Sequence, residues 1–176
     1  DRPFFLNIGF QDPHHPHALP AAVTDQVRDE TIPLPNFRHG ELDDKPPYFY
    51  DVHTGAWSPE HPLHGQFPLA GQGGGRCDYS AVPEADQRRG RAYYYKLVER
   101  IDEAMGEILH SLERCGFLEN TLIVFASDHG EMLGDHWLWM KGPFHYEPLV
   151  GVPWIMMWAG RLPKRRVRGI ASLADL

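Results

Sequence analysis

The run Thr121–Ala126 (TLIVFA) passes without a break into Ser127-Asp128-His129-Gly130-Glu131, and this junction constrains the chain more than any other. A short apolar and β-branched run without alternation predicts a strand buried on both faces, the pattern of a parallel sheet. Such a strand needs covering layers, and open α/β sheets gather their chemistry at the carboxyl ends of strands. Asp128 and His129 fall at that end. Lys141 follows 13 residues after Asp128, beyond a loop containing Gly134, Trp137 and Trp139.

The remaining segments read as supports for this junction. Pro3–Phe10 (PFFLNIGF) is apolar and β-prone and predicts a second buried strand. It leads into Gln11-Asp12-Pro13-His14-His15-Pro16-His17, where two prolines end regular structure and three histidines offer metal or anion ligands. Residues 18–90 form a long Pro- and Gly-rich loop region in which His39, His53, His61 and His64 are read as solvated. Its run Gly71–Gly75 has neither a GK[ST] ending nor a strand immediately before it, so it is no phosphate loop.

From about Glu84 the pattern turns helical. Tyr94, Leu97, Ile101, Met105, Ile108 and Leu112 recur at three- and four-residue steps, with Glu99, Glu103 and Glu107 on the other face. Gly116 suits the stop. A helix between two parallel strands implies a right-handed crossover, with His14 and Asp128 opening on the same sheet edge. Val152–Trp158 (VPWIMMW) predicts a third strand, with Met156 and Met157 in the core.

Composition narrows the field of partners. A net charge of −7 disfavours nucleic acid, and the only basic run, Arg161–Arg168, reads as a solvated loop. No stretch approaches a membrane span. Cys77 and Cys115 lie 38 positions apart without CxxC spacing, so two free thiols are expected. The chain opens without Met and directly on an apolar run, the expectation for an internal piece of a larger protein.

The chemistry open to these residues is specific. Asp128 supplies a hard oxygen and His129 a nitrogen to a metal. Lys141 can neutralise a tetrahedral oxyanion, and His14 can donate to a leaving oxygen. Together they are equipment for hydrolysing a sulfate or phosphate ester. The plain alternatives are that Asp128 caps a helix starting near Gly130 and that Lys141 is a surface lysine. His129-Gly130-Glu131 is not HExxH, no GxSxG is present, and His136 carries no assignment.

The segment ENTLIVFASDHGEMLGDHWLWMKGPFHYEPLVGVPWIMMWAG closely resembles the middle of sulfatases, within the alkaline-phosphatase-like superfamily. FFLNIGFQDPHHPH resembles the sulfatase turn that ends in a substrate-contacting histidine, and YYYKLVERIDEAMGEILHSLERCGFLENT the helix before the metal-binding strand. The resemblance covers 1–176, with 18–90 a substrate-side loop region and 91–160 a helix–strand–metal-loop–strand core. It implies an α/β three-layer sandwich with a mostly parallel central sheet, here incomplete. It implies Asp128 and His129 as metal ligands, and Lys141 and His14 as catalytic and substrate-binding groups. The family's metal is usually Ca2+, with Mg2+ or Mn2+ in some branches. A small-molecule or glycan sulfate ester is the implied partner.

The chain also departs from the family pattern. The family's early Asp-Asp pair following a strand and the C/S-x-P-S-R motif, whose Cys or Ser becomes formylglycine, do not occur, and neither Cys77 nor Cys115 has the required neighbours. The resemblance therefore implies a fragment lacking its nucleophile and inactive alone. A phosphonate or phosphate ester hydrolase of the same superfamily, or a non-catalytic module binding sulfated ligands, are the competing expectations.

Overall fold

The helix predicted from Glu84 runs to Arg114 and is the longest element of the computed structural model, which describes residues 2–54 and 79–176. Glu84 and Asp86 sit in its first turn, where carboxylates complement the helix dipole. Its end is a Schellman motif. The Phe117 N–H donates to the Leu112 carbonyl at 2.9 Å and the Gly116 N–H to that of Glu113 at 2.9 Å. Gly116 takes the left-handed conformation, φ 73°, that this cap requires. Leu97 is fully buried, while Glu99, Glu103 and Glu107 face solvent, as the periodicity predicts.

In chain order the helices and strands are α1 (Ala21–Thr24), α2 (Pro47–Thr54), α3 (Glu84–Arg114), β1 (Ile123–Ala126), α4 (Glu147–Val150) and β2 (Trp154–Met157), with short 3-10 turns between them. The chain divides into two compact units. One comprises Asp1–Ala104 with Leu133–Met140, the other Met105–Met132 with Lys141–Leu176, and the division falls within α3. Leu42, Phe49, Ala92, Leu97, Leu133 and Leu138 form the core of the first unit. Met132, Phe144 and Leu149 are the buried apolar residues of the second.

The strands at 121–126 and 152–158 form, but their relation differs from the expectation. β1 and β2 pair antiparallel, with Ile123 opposite Met157 and Ala126 opposite Trp154. Among the described residues this two-stranded sheet is the whole of the β-structure. Pro3–Phe10 is not a strand and is exposed throughout, with Phe5 at 93%. The parallel crossover and the mostly parallel sheet are therefore not formed among these residues. The physical reason is that an apolar run reports a demand for burial, not a direction or a partner. A strand exists only where a second backbone completes its ladder.

Burial shows the same divergence. Val124 and Met156, read as core, are 39% and 48% exposed. His53, read as solvated, is buried in α2, and its Nδ1 donates to the Trp137 carbonyl at 2.9 Å. His39 is exposed as expected, whereas His61, His64, Gly71–Gly75 and Cys77 lie outside the described residues. Cys115 is an exposed free thiol. No helix among the described residues is long and apolar enough to cross a membrane.

Candidate active site

The loop leaving β1 is organised by its own side chains. Ser127 Oγ donates to the His129 carbonyl at 2.7 Å, and the His129 N–H donates to Asp128 Oδ1 at 2.9 Å. Further on, the Gly130 and Glu131 N–H groups donate to the Leu149 and Pro148 carbonyls at 2.9 and 3.2 Å. Those carbonyls belong to α4, which is too short to satisfy them internally. No helix begins at Gly130, so Asp128 is not a helix cap there.

This loop fixes the His129 imidazole. Its Nδ1 lies 2.8 Å from the Gly130 carbonyl, which only accepts, so Nδ1 carries the proton and Nε2 presents a lone pair. Locking one imidazole nitrogen on a backbone carbonyl is how proteins orient the other toward a metal. Lys141 Nζ donates to that Nε2 at 3.0 Å, and Asp128 Oδ2 lies 3.7 Å from it. Two donors at that separation can bind one ion at the usual distances of about 2.0–2.5 Å. The pair fits a divalent cation in donor chemistry and spacing. No cluster of three or more His, Cys, Asp or Glu forms among the described residues, so these two donors alone fall short of a complete coordination sphere.

Asp128, His129 and Lys141 thus come together within the second unit. His14 belongs to the first. It sits on a turn closed by its N–H donating to the Gln11 carbonyl at 3.0 Å, and its ring stacks on His15 at 4.1 Å. Nδ1 donates to the His15 carbonyl at 2.6 Å. His17 packs edge-on against Tyr94 at 5.4 Å. Burial, reinforced by the neighbouring His14 charge, holds its pKa below the ordinary imidazole range and so favours the neutral ring.

Sequence reasoning missed the network that shapes Leu133–Met140 in the first unit. Leu133, His136, Trp137 and Met140 all take positive φ, between 48° and 64°. Each such residue costs about 1 kcal/mol, so the segment persists only if its surroundings hold it. Asp135 Oδ1 accepts from the Asn36 N–H at 2.9 Å and from Arg91 Nη1 at 3.1 Å. His136 Nδ1 donates to Glu41 Oε1 at 2.6 Å, and Trp137 Nε1 donates to the Arg38 carbonyl at 2.8 Å. The Gly134-Asp135-His136 triplet was the available signal, but its side-chain partners are 44–99 positions away.

Glu41 gives this clamp a pH dependence. Burial alone would raise its carboxyl, but the hydrogen bond from His136, the Arg38 N–H and the His136 and Arg38 charges outweigh it, and its pKa lies below the usual value. A depressed folded-state pKa contributes stability that is present above the unfolded value, about 4.3, and is lost as pH falls through the folded one. Glu41→Gln is therefore expected to unfold at a lower temperature than wild type at pH 7, with the gap closing toward pH 3. Thermal melts of both proteins across that range check it, and a gap independent of pH would refute the assignment.

The chain matches the sulfatase family model over residues 1–176. It is 31% identical to the choline-sulfatase of Rhizobium meliloti over 92% of its own length and 28% of that protein's. It is 29% identical to an arylsulfatase of Clostridium perfringens over 93% of its length and 29% of the relative's. Its fold resembles the phosphonate monoester hydrolase of Agrobacterium radiobacter with a TM-score of 0.71 and 26% identity, covering 89% of this chain and 29% of that one. The chain spans less than a third of the length of each of these proteins. With a family model that fits from the first residue to the last, the chain belongs to the sulfatase family of the alkaline-phosphatase-like superfamily.

Proposed function

We propose that the chain supplies the late metal-binding and anion-neutralising residues of a hydrolase of sulfate monoesters, acting on a small-molecule or glycan ester. The observation that carries this reading is the meeting of Asp128, His129 and Lys141, with an ammonium 3.0 Å and a carboxylate oxygen 3.7 Å from one oriented imidazole lone pair. Asp128 and His129 hold a divalent cation, Ca2+ by family analogy and Mg2+ or Mn2+ in the alternative. When bound, that cation supplies positive charge against the oxyanion of the transferred group. Lys141 adds a second positive charge on a half-buried side chain, where it acts with less screening than in water. His14 is assigned the leaving oxygen by the family resemblance; with Nδ1 given to the His15 carbonyl, its Nε2 donates a hydrogen bond or a proton there only when the ring is the imidazolium.

The nucleophile lies outside this set. Formylglycine would derive from a C/S-x-P-S-R motif in sequence beyond these 176 residues, and the chain alone is expected to turn over no ester. A second reading, a phosphonate or phosphate ester hydrolase, is favoured by the phosphonate monoester hydrolase among the similar structures. The two separate in one experiment. The protein that carries this chain, at its natural length, is assayed on an aryl sulfate, a phosphodiester and a phosphonate monoester. The sulfatase reading expects kcat/KM at least about tenfold higher on the sulfate, or about 1.4 kcal/mol of transition-state preference. Faster turnover of the phosphonate would replace it with the second reading.

A further inference from the structure

The imidazole of His129 offers only one lone pair. Nδ1 is committed as a donor to the Gly130 carbonyl at 2.8 Å, and the Gly130 N–H is itself tied to the Leu149 carbonyl at 2.9 Å. Nε2 can therefore accept from Lys141 or coordinate a cation, but it cannot do both. An ammonium 3.0 Å from that nitrogen also occupies the direction in which an ion would lie, about 2.0–2.1 Å from it for a first-row metal. Charge adds to the steric conflict, since two cations at such a distance repel strongly where water is partly excluded. Asp128 Oδ2, 3.7 Å from the same nitrogen, attracts either occupant and does not decide between them.

We propose that Lys141 and a divalent cation compete for the Nε2 lone pair of His129, so that filling the metal site turns the Lys141 ammonium away from the imidazole and toward a bound anion. The inference rests on reading Asp128 and His129 as a metal-holding pair. It gives Lys141 two successive roles, as a built-in cation that satisfies the oriented lone pair, then as the neutraliser of the substrate anion. It also sets an order in which cation binding precedes productive anion binding. An anion arriving first would meet an ammonium already engaged with His129.

The test uses the protein that carries this chain, at its natural length, with 15N-labelled histidine and Mn2+ as the probe ion. In the wild type the His129 Nε2 resonance should report a hydrogen-bonded acceptor, and Lys141→Met should shift it. Mn2+, followed by paramagnetic broadening of the His129 signals, should bind Lys141→Met about tenfold more tightly, the affinity equivalent of one charge-assisted hydrogen bond. Lys141→Arg, which keeps a charged donor, should bind Mn2+ within about twofold of wild type and guards against a folding defect in the first variant. The proposal is overturned if Lys141→Met leaves the Nε2 resonance in place or binds Mn2+ no more tightly. The underlying metal-pair reading fails separately, and takes the proposal with it, if Mn2+ broadens His129 in none of these proteins.

Discussion

Gly130→Ala is expected to lower the melting temperature by roughly 6–20 °C and to weaken Mn2+ binding at Asp128 and His129 at least about tenfold. A Cβ at Gly130 would lie 1.9 Å from the Pro148 carbonyl oxygen, 2.9 Å from its carbon and 3.3 Å from Leu149 Cα. All three are backbone atoms, so no flexible side chain can turn aside. Relief requires the loop to leave α4, which breaks the hydrogen bonds from Gly130 to Leu149 and from Glu131 to Pro148. Overpacking costs about 1–3 kcal/mol and each lost hydrogen bond about 1 kcal/mol, and a chain of this size loses roughly 2–4 °C per kcal/mol.

The effect is one of space, since Gly130 is not among the glycines with positive φ. Gly116 is the control. It has φ 73° and open space at its Cβ position, so Gly116→Ala should cost only about 1 kcal/mol and leave Mn2+ binding unchanged. Circular dichroism melts and Mn2+ titrations of the two variants decide the matter. A wild-type melting temperature for Gly130→Ala would remove α4 as the support of the loop.

The parts of this protein that were legible in its sequence are those governed by local rules. α3 was readable because six apolar residues mark one face and Gly116 supplies the only conformation that closes a Schellman cap. β1 and β2 were readable as strands because their runs are apolar and β-prone, although neither run is buried as expected. The role of Gly130 was not, because the obstacle to its Cβ comes from α4, 18 positions further on. Pro3–Phe10 has the composition of a strand, but composition carries no information about whether a second backbone lies beside it. Asp128, His129 and Lys141 stood out through their spacing and family resemblance. The tautomer of His129 and the hydrogen bond from Lys141 are consequences of three-dimensional placement alone. The clamp on Leu133–Met140 lay further out of reach. Arg91 and Glu41 are ordinary charged residues until the fold brings them to partners 42–95 positions away.

Arg91→Met should destabilise the first unit by about 3–5 kcal/mol, the usual cost of removing one partner from a buried ion pair. The Arg91 side chain is only 9% exposed. Its Nη1 donates to the Leu133 carbonyl at 2.8 Å and to Asp135 Oδ1 at 3.1 Å, and Nη2 reaches the Tyr95 hydroxyl at 3.4 Å. Methionine fills much of the volume but leaves the Leu133 carbonyl and the Asp135 carboxylate without their cation, beside a backbone already held at positive φ. Lysine restores the charge without the planar fork, so Arg91→Lys should recover only part of the loss.

The double variant Arg91→Met, Asp135→Asn separates charge from packing. If the stranded carboxylate is the main penalty, neutralising it returns at least about 1 kcal/mol, and the two substitutions are less than additive. If instead the double variant is as unstable as the sum of the singles, Arg91 acts through its packing and its bond to Leu133, and the Asp135 ion pair contributes nothing net. Chemical denaturation of the four proteins gives that coupling energy directly.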